Sequence, residues 1–104
     1  MTRPALESTR HQVRDDPAAV WEYFYERGWS DGLPIIPPTA ERVSAMLAAL
    51  GRDPSEEVTK ISPSYNSATL EKLAVNAVMA GCAPGCFPAL VAAVEAIAEP
   101  RFRL

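Results

Sequence analysis

The chain has 104 residues, of which 48% are apolar, and its formal net charge is −3 at pH 7. This length suits one domain with a modest core, and the slight acidity, without a cluster of basic and aromatic residues, argues against a nucleic-acid partner. No run of about 18 apolar residues occurs, so we expect neither a membrane-spanning helix nor a membrane partner. The N-terminus also lacks the apolar stretch of a secretion signal, which predicts a cytoplasmic protein.

The first 16 residues show no apolar periodicity. They carry basic side chains and the single histidine of the chain: Arg3, Arg10, His11 and Arg14. Such a segment has few apolar groups to bury, so we expect a flexible N-terminal arm that is mobile or lies along a partner. Residues 17–104 are then expected to form a single small helical domain.

Two amphipathic helices are predicted in the first half of the chain. Asp16 caps the first helix, Pro17 occupies its first position and Gly28 ends it. Its apolar residues recur at helical spacing: Val20, Trp21, Phe24 and Tyr25. Thr39 caps the second helix, which Gly51 closes. The apolar residues of this second helix also share one face: Val43, Met46, Leu47 and Leu50.

The segment between these helices is rich in proline, which fixes φ and keeps the preceding residues out of the helical region. Asp31 and Gly32 indicate a turn, and residues 33–36 indicate a short edge strand or a packed extended piece. Residues 31–38 could line a ligand cleft or serve as a rigid connector. Further along, residues 57–62 are predicted to form a second short strand.

Two more helices are predicted in the second half. Asn66 or Ser67 caps the third helix, and Gly81 ends it. One stripe of this helix is apolar and comprises Leu70, Leu73, Ala74, Ala77 and Gly81. Pro88 lies in the first turn of the fourth helix, where Glu95 is the one polar residue between positions 89 and 98. A small domain cannot easily cover such a helix on every side, so we infer that it meets another protein.

These elements predict a mostly α fold of about four helices with one or two short extended segments. The fold becomes α+β if residues 33–36 pair with residues 58–62. Because the fourth helix is apolar around nearly its whole circumference, we expect the fold to be incomplete without a partner chain.

The two cysteines flank a turn with the sequence Cys82-Ala-Pro-Gly-Cys86. Cys86 stands just before a helix, where the helix dipole favours a thiolate, whereas Cys82 follows a helix end, where the dipole opposes one. Four interpretations remain open. Both can be small buried side chains, a redox pair or disulfide, ligands of a metal or iron–sulfur cluster, or one of them can be a catalytic thiol. Two sulfurs are fewer than the four ligands of a closed site, so a partner would have to supply the other ligands of a metal or cluster.

Polar residues on the third helix form a further candidate site. Thr69, Lys72 and Asn76 lie together on one side, where they could bind an anionic or carbonyl group from one helix face. Lys and Thr on a helix are more often simply solvated, but Asn is a poor residue for a helix interior. The chain shows no Ser/His/Asp arrangement, no phosphate-binding glycine loop and no cluster of metal ligands, so a self-contained hydrolase of the triad type is not expected.

Three phrases resemble part of the bacterial UGSC family of selenoproteins and their cysteine-containing relatives: GWSDGLPIIPPT at residues 28–39, ATLEKLAVNAVMAGC at residues 68–82 and AAVEA at residues 92–96. The resemblance extends over most of residues 21–102. In that family, a region with a selenocysteine- or cysteine-Gly-Ser-Cys motif accompanies a region like this one. The motif implies a thiol- or selenol-based redox role. At matching positions, the resemblance implies four functional residues here: Asp31, Lys72, Asn76 and Cys82.

This chain departs from the family because it lacks a Cys-Gly-Ser-Cys motif and ends where the family sequences continue. We therefore expect the small subunit of a heteromeric enzyme, with a larger catalytic subunit as its partner. Cys82, Asn76 and Lys72 would contribute to a shared site that acts on a small organic molecule by thiol-dependent redox or lyase/hydrolase chemistry. The alternatives are a non-catalytic subunit that scaffolds or stabilises a catalytic partner and a metal-carrying accessory protein.

Overall fold

The computed structural model describes residues 6–61, 66–99 and 101. Within these residues the fold is mostly α. Its helices are α1 (Pro17–Glu26), α2 (Ala40–Ala48), α3 (Leu70–Met79) and α4 (Phe87–Ala98), with a short 3-10 helix (Pro84–Cys86) before α4. Two antiparallel strands, β1 (Glu57–Ile61) and β2 (Asn66–Thr69), form a two-stranded sheet. The prediction of four helices with short extended segments is therefore confirmed.

The predicted caps of α1 and α2 are also confirmed. A side-chain oxygen of Asp16 accepts the N–H of Ala19 at 3.2 Å, and the Thr39 hydroxyl accepts the N–H of Arg42 at 3.2 Å. These bonds satisfy backbone donors that lack a partner in the first turn of a helix.

The start of the third helix differs from the prediction. Residues 66–69 pair with β1 as strand β2, so neither Asn66 nor Ser67 caps the helix. Thr69 is the N-cap instead, and its hydroxyl accepts the N–H of Lys72 at 3.2 Å. The local pattern contained several residues able to cap a helix, and pairing with a distant strand decided which of them does so.

Residues 33–36 do not pair with β1, so the condition under which the fold would become α+β is not met. The strand paired with β1 is β2, and residues 33–36 form no strand. A backbone hydrogen bond of 3.1 Å from the N–H of Ile36 to the carbonyl of Met79 instead holds this segment against the end of α3. Ser62, the last residue of the predicted strand, lies outside the described residues.

The core lies between α2, α3 and α4. Its buried apolar side chains, apart from Ala68 of β2, come from these helices: Val43, Met46, Leu47, Leu70, Ala74, Ala77, Val78, Phe87 and Val91. The predicted apolar face of α2 is thus confirmed, with Leu50 partly buried against the core. The predicted stripe of α3 is confirmed except at Gly81, which is exposed. By contrast, none of the ten residues of α1, all of them described, is buried. Helix α1 therefore packs at the edge of the domain and leaves its aromatic side chains partly exposed.

The N-terminal segment contacts α3. Leu6 packs against the core, and the backbone N–H groups of Glu7 and Ser8 donate hydrogen bonds to the carboxylate of Glu71. Residues 1–5 of the predicted arm lie outside the described residues, and flexibility of residues 1–16 stays a prediction. None of the described helices has both the length and the apolar character needed to cross a membrane.

Candidate functional site

Cys82 lies in the motif that ends α3. Gly81 has a φ of +84°, its N–H donates to the carbonyl of Val78 at 3.0 Å, and the N–H of Cys82 donates to the carbonyl of Ala77 at 2.9 Å. These two bonds satisfy carbonyls at the end of the helix, and the positive φ is the reason that glycine occupies position 81. The Cys82 side chain is half-buried against the core, with its sulfur 3.4 Å from the carbonyl oxygen of Ala83. Its backbone position is therefore well fixed.

Cys86 is the N-cap residue of α4, and its side chain is exposed. The predicted position just before a helix is confirmed. Of the four interpretations, the one in which both cysteines are small buried side chains does not hold for Cys86, because its side chain is exposed while Cys82 packs against the core. Both cysteines are free thiols, so the pair does not form a disulfide in this structure.

Lys72 and Asn76 are both exposed, one turn apart on α3, as predicted. The Asn76 side-chain amide donates to the carbonyl of Lys72 at 2.9 Å, which leaves its side-chain oxygen available as an acceptor. Thr69 is the helix cap rather than a free group on the same stripe. This surface thus offers one ammonium group and one amide oxygen to a ligand.

Asp31 is exposed and closes its own turn. Its carboxylate accepts the N–H of Leu33 at 3.0 Å, while the Ser30 hydroxyl accepts the N–H of Gly32 at 3.1 Å. Among the described contacts, none joins Asp31 to Lys72, Asn76 or either cysteine. The structure therefore places Asn76 and Cys82 at the same end of α3, but it does not assemble the four predicted catalytic residues into one pocket.

Pro34, Ile35 and Pro37 line an open groove of about 350 Å³ along one side of α1. Pro17, Val20 and Trp21 form the helical wall, and Arg42 also lines the groove. The indole N–H of Trp21 donates to the carbonyl of Gly32 at 2.8 Å and fixes the ring. The proline-rich segment thus does line a cleft, although Asp31 is not among the lining residues.

Two charged groups that the sequence did not single out make specific contacts. Arg52 pairs with Glu56 and, at 3.4 Å, with Glu95 of α4, and these carboxylates raise the pKa of its guanidinium. Glu71 is the one polar residue among the described residues that is classed as buried. An acid in the first turn of a capped helix normally indicates a favourable dipole interaction at the surface, so no local signal indicated that Glu71 would be buried.

The described residues offer no complete set of metal ligands. No group of three or more His, Cys, Asp or Glu side chains able to hold a metal occurs in the part of the chain that is described. Ligation of a metal or cluster by Cys82 and Cys86 therefore stays a prediction, and it requires that a second protein supply the other ligands.

Comparisons with known proteins give no assignment. No protein-family model, curated protein or solved structure matches this chain. The resemblance to the UGSC family accordingly stays a prediction.

Proposed function

We propose that this chain is the small subunit of a heteromeric enzyme and binds a larger subunit through the outer face of α4. The observation that carries the proposal is the composition of that face. Phe87 and Val91 point into the core and are at most 1% exposed. The opposite side of the helix is exposed yet still apolar: Ala89, Ala92, Ala93, Ala96 and Ile97.

This outer face lacks the charged residues that normally keep a surface helix in water. Glu95 is the only charged side chain in α4, and it already forms an ion pair with Arg52. The exposed alanines are small, so a partner helix could approach the backbone of α4 closely. The contiguous apolar character of this exposed face favours a partner, since exposed apolar patches mark protein interaction sites.

The aromatic residues of α1 and the following turn support the same proposal. Trp21, Tyr25 and Trp29 are each between 40% and 48% exposed, and the rings of Trp21 and Tyr25 stack at a centroid distance of 5.1 Å. Tryptophan and tyrosine contribute strongly to binding at protein interfaces. We therefore include these aromatic side chains in the proposed partner surface, which the sequence had limited to the fourth helix.

In this assembly, Cys82, Asn76 and Lys72 would face a site completed by the larger subunit. The turn with the two cysteines leads directly into α4, so a protein bound along α4 would lie next to it. A thiolate would act there as nucleophile or metal ligand, and Asn76 and Lys72 would polarise an oxygen of a small organic substrate. The thiol-dependent redox or lyase/hydrolase reaction rests on the resemblance and on these side chains.

The proposal is tested by purifying the tagged chain from its own host and measuring the complex by native mass spectrometry with elemental analysis. We expect a complex with a larger chain, which Ala93→Arg on the outer face of α4 should disrupt. Ala45→Arg is the matched control, because Ala45 is exposed near the middle of α2. A wild-type chain that is only monomeric or homo-oligomeric would refute the proposal.

A second candidate function is that of a non-catalytic subunit that stabilises a catalytic partner. Two contacts favour it: the carboxylate of Asp31 accepts an N–H of its own turn, and the amide of Asn76 donates to its own helix. In the assembled complex, Cys82→Ser separates the two functions. Loss of turnover with intact assembly supports the shared active site, and unchanged turnover supports the stabilising role.

A further inference from the structure

Residues 6–8 of the N-terminal segment contact the buried carboxylate of Glu71 on α3. The N–H of Glu7 donates to one oxygen of Glu71 at 2.9 Å, and the N–H of Ser8 donates to the other oxygen at 2.6 Å. The Glu71 residue is only 5% exposed, and Leu6 packs against the core beside these bonds. Residues 6–8 therefore bind by one apolar side chain and two charge-assisted hydrogen bonds.

Burial by itself disfavours the ionised form of Glu71 and would raise its pKa. The hydrogen bonds from Ser8 and Glu7 and the positive charge of Arg10 outweigh this effect, so the pKa of Glu71 lies below its usual range. The ionised carboxylate is thus the form that the N-terminal segment binds. A protonated carboxyl group would accept these two N–H groups less well, because it loses its charge and one oxygen carries a proton.

We propose that residues 6–8 form a strap across the start of α3 and that the ionised carboxylate of Glu71 is its latch. Removal of that charge releases residues 6–8 while the helical core stays folded. While Glu71 is ionised, residues 6–8 stay bound to this chain. When Glu71 is neutral, residues 6–8 are free to bind another surface. The proposal rests on the contacts of Glu71 and is independent of the proposed enzyme subunit.

The charged groups around the latch come from three elements. Glu7 and Arg10 lie on the N-terminal arm, and Lys72 follows Glu71 on α3. Glu56 lies on the loop before β1, where the carbonyl of Pro54 accepts the backbone N–H of Glu71. Glu56 is already paired with Arg52. Of these groups, Arg10 is the one whose charge shifts the pKa of Glu71.

The test is hydrogen–deuterium exchange at the amides of Glu7 and Ser8 in the full chain at pH 7. We expect Glu71→Gln to accelerate exchange of both amides by at least about tenfold, because hydrogen bonds to an ionised group are among the stronger ones in proteins. The matched control is Glu41→Gln. Glu41 occupies the same position in α2, two residues after a threonine cap, but is exposed, so this variant should leave the two amides unchanged.

An acid titration of the wild-type chain provides a test without substitution. Exchange rates are divided by those of an unstructured peptide at each pH. As the pH falls through the lowered pKa of Glu71, we expect the Glu7 and Ser8 amides to lose protection before core amides such as that of Val78. Simultaneous loss of protection in arm and core, or equal exchange in the wild type and Glu71→Gln, would overturn the proposal.

Discussion

Replacing Phe87 with alanine should remove a large part of the stability of this domain. Phe87 is the largest of the fully buried side chains, with 0% exposure, and it attaches α4 to the core formed with α2 and α3. Truncation of a buried phenylalanine to alanine typically costs about 3–5 kcal/mol, through lost apolar contact and the cavity left behind. A domain of this size has a total stability of about 5–15 kcal/mol, so the variant should be marginally folded.

The free energy of unfolding can be measured by urea denaturation followed by circular dichroism, on the isolated chain. Phe87→Leu is a second variant that should stay folded, since swaps between large apolar residues usually cost less than about 1.5 kcal/mol. Ile97→Ala provides the comparison on the outer face of α4. Ile97 is 43% exposed, so its truncation should cost only about 1 kcal/mol in the isolated chain.

The two substitutions together test which face of α4 belongs to the core. If Ile97→Ala destabilises the isolated chain as much as Phe87→Ala, the outer face is already covered within this chain. That result would also remove the main support for a partner at α4. If the expected difference is found, binding of the partner should be sensitive to Ile97→Ala even though folding is not.

Three further predictions concern helix ends and acid stability. Gly81→Ala should cost about 1 kcal/mol, since alanine is strained at a φ of +84°, whereas Gly85→Ala, where φ is not positive, should be nearly neutral in the same urea assay. Thr69→Ala should cost about 1 kcal/mol by removing the cap of α3, and no loss would mean that strand pairing alone fixes this helix start. The pKa of Glu71 is lower in the folded state than in the unfolded state. The ionised carboxylate therefore stabilises the fold above the unfolded pKa of about 4.3, and this stabilisation is lost as the pH falls through the pKa of the folded state. Wild type should thus lose more stability than Glu71→Gln between pH 5 and pH 3 in thermal melts; equal losses would contradict this assignment.

The sequence by itself determined the four helices and the buried faces of α2 and α3, but not the exposure of α1. Caps and glycines are local signals, and the apolar residues of α2 and α3 recur at helical spacing, so this spacing was enough to assign Val43, Met46, Ala74 and Ala77 to the core. The apolar character of α4 around its circumference could likewise be predicted from the sequence of residues 87–98 alone. These features depend on residues a few positions apart.

The tertiary structure decided what distant segments do to one another. Residues 66–69 became a strand because β1 pairs with them, and this pairing moved the start of α3 to Leu70. Glu71 became buried because residues 6–8, more than 60 positions away, donate two backbone hydrogen bonds to it. A backbone N–H can bond to any acceptor that the fold brings within reach, so the residue types alone could not specify these contacts.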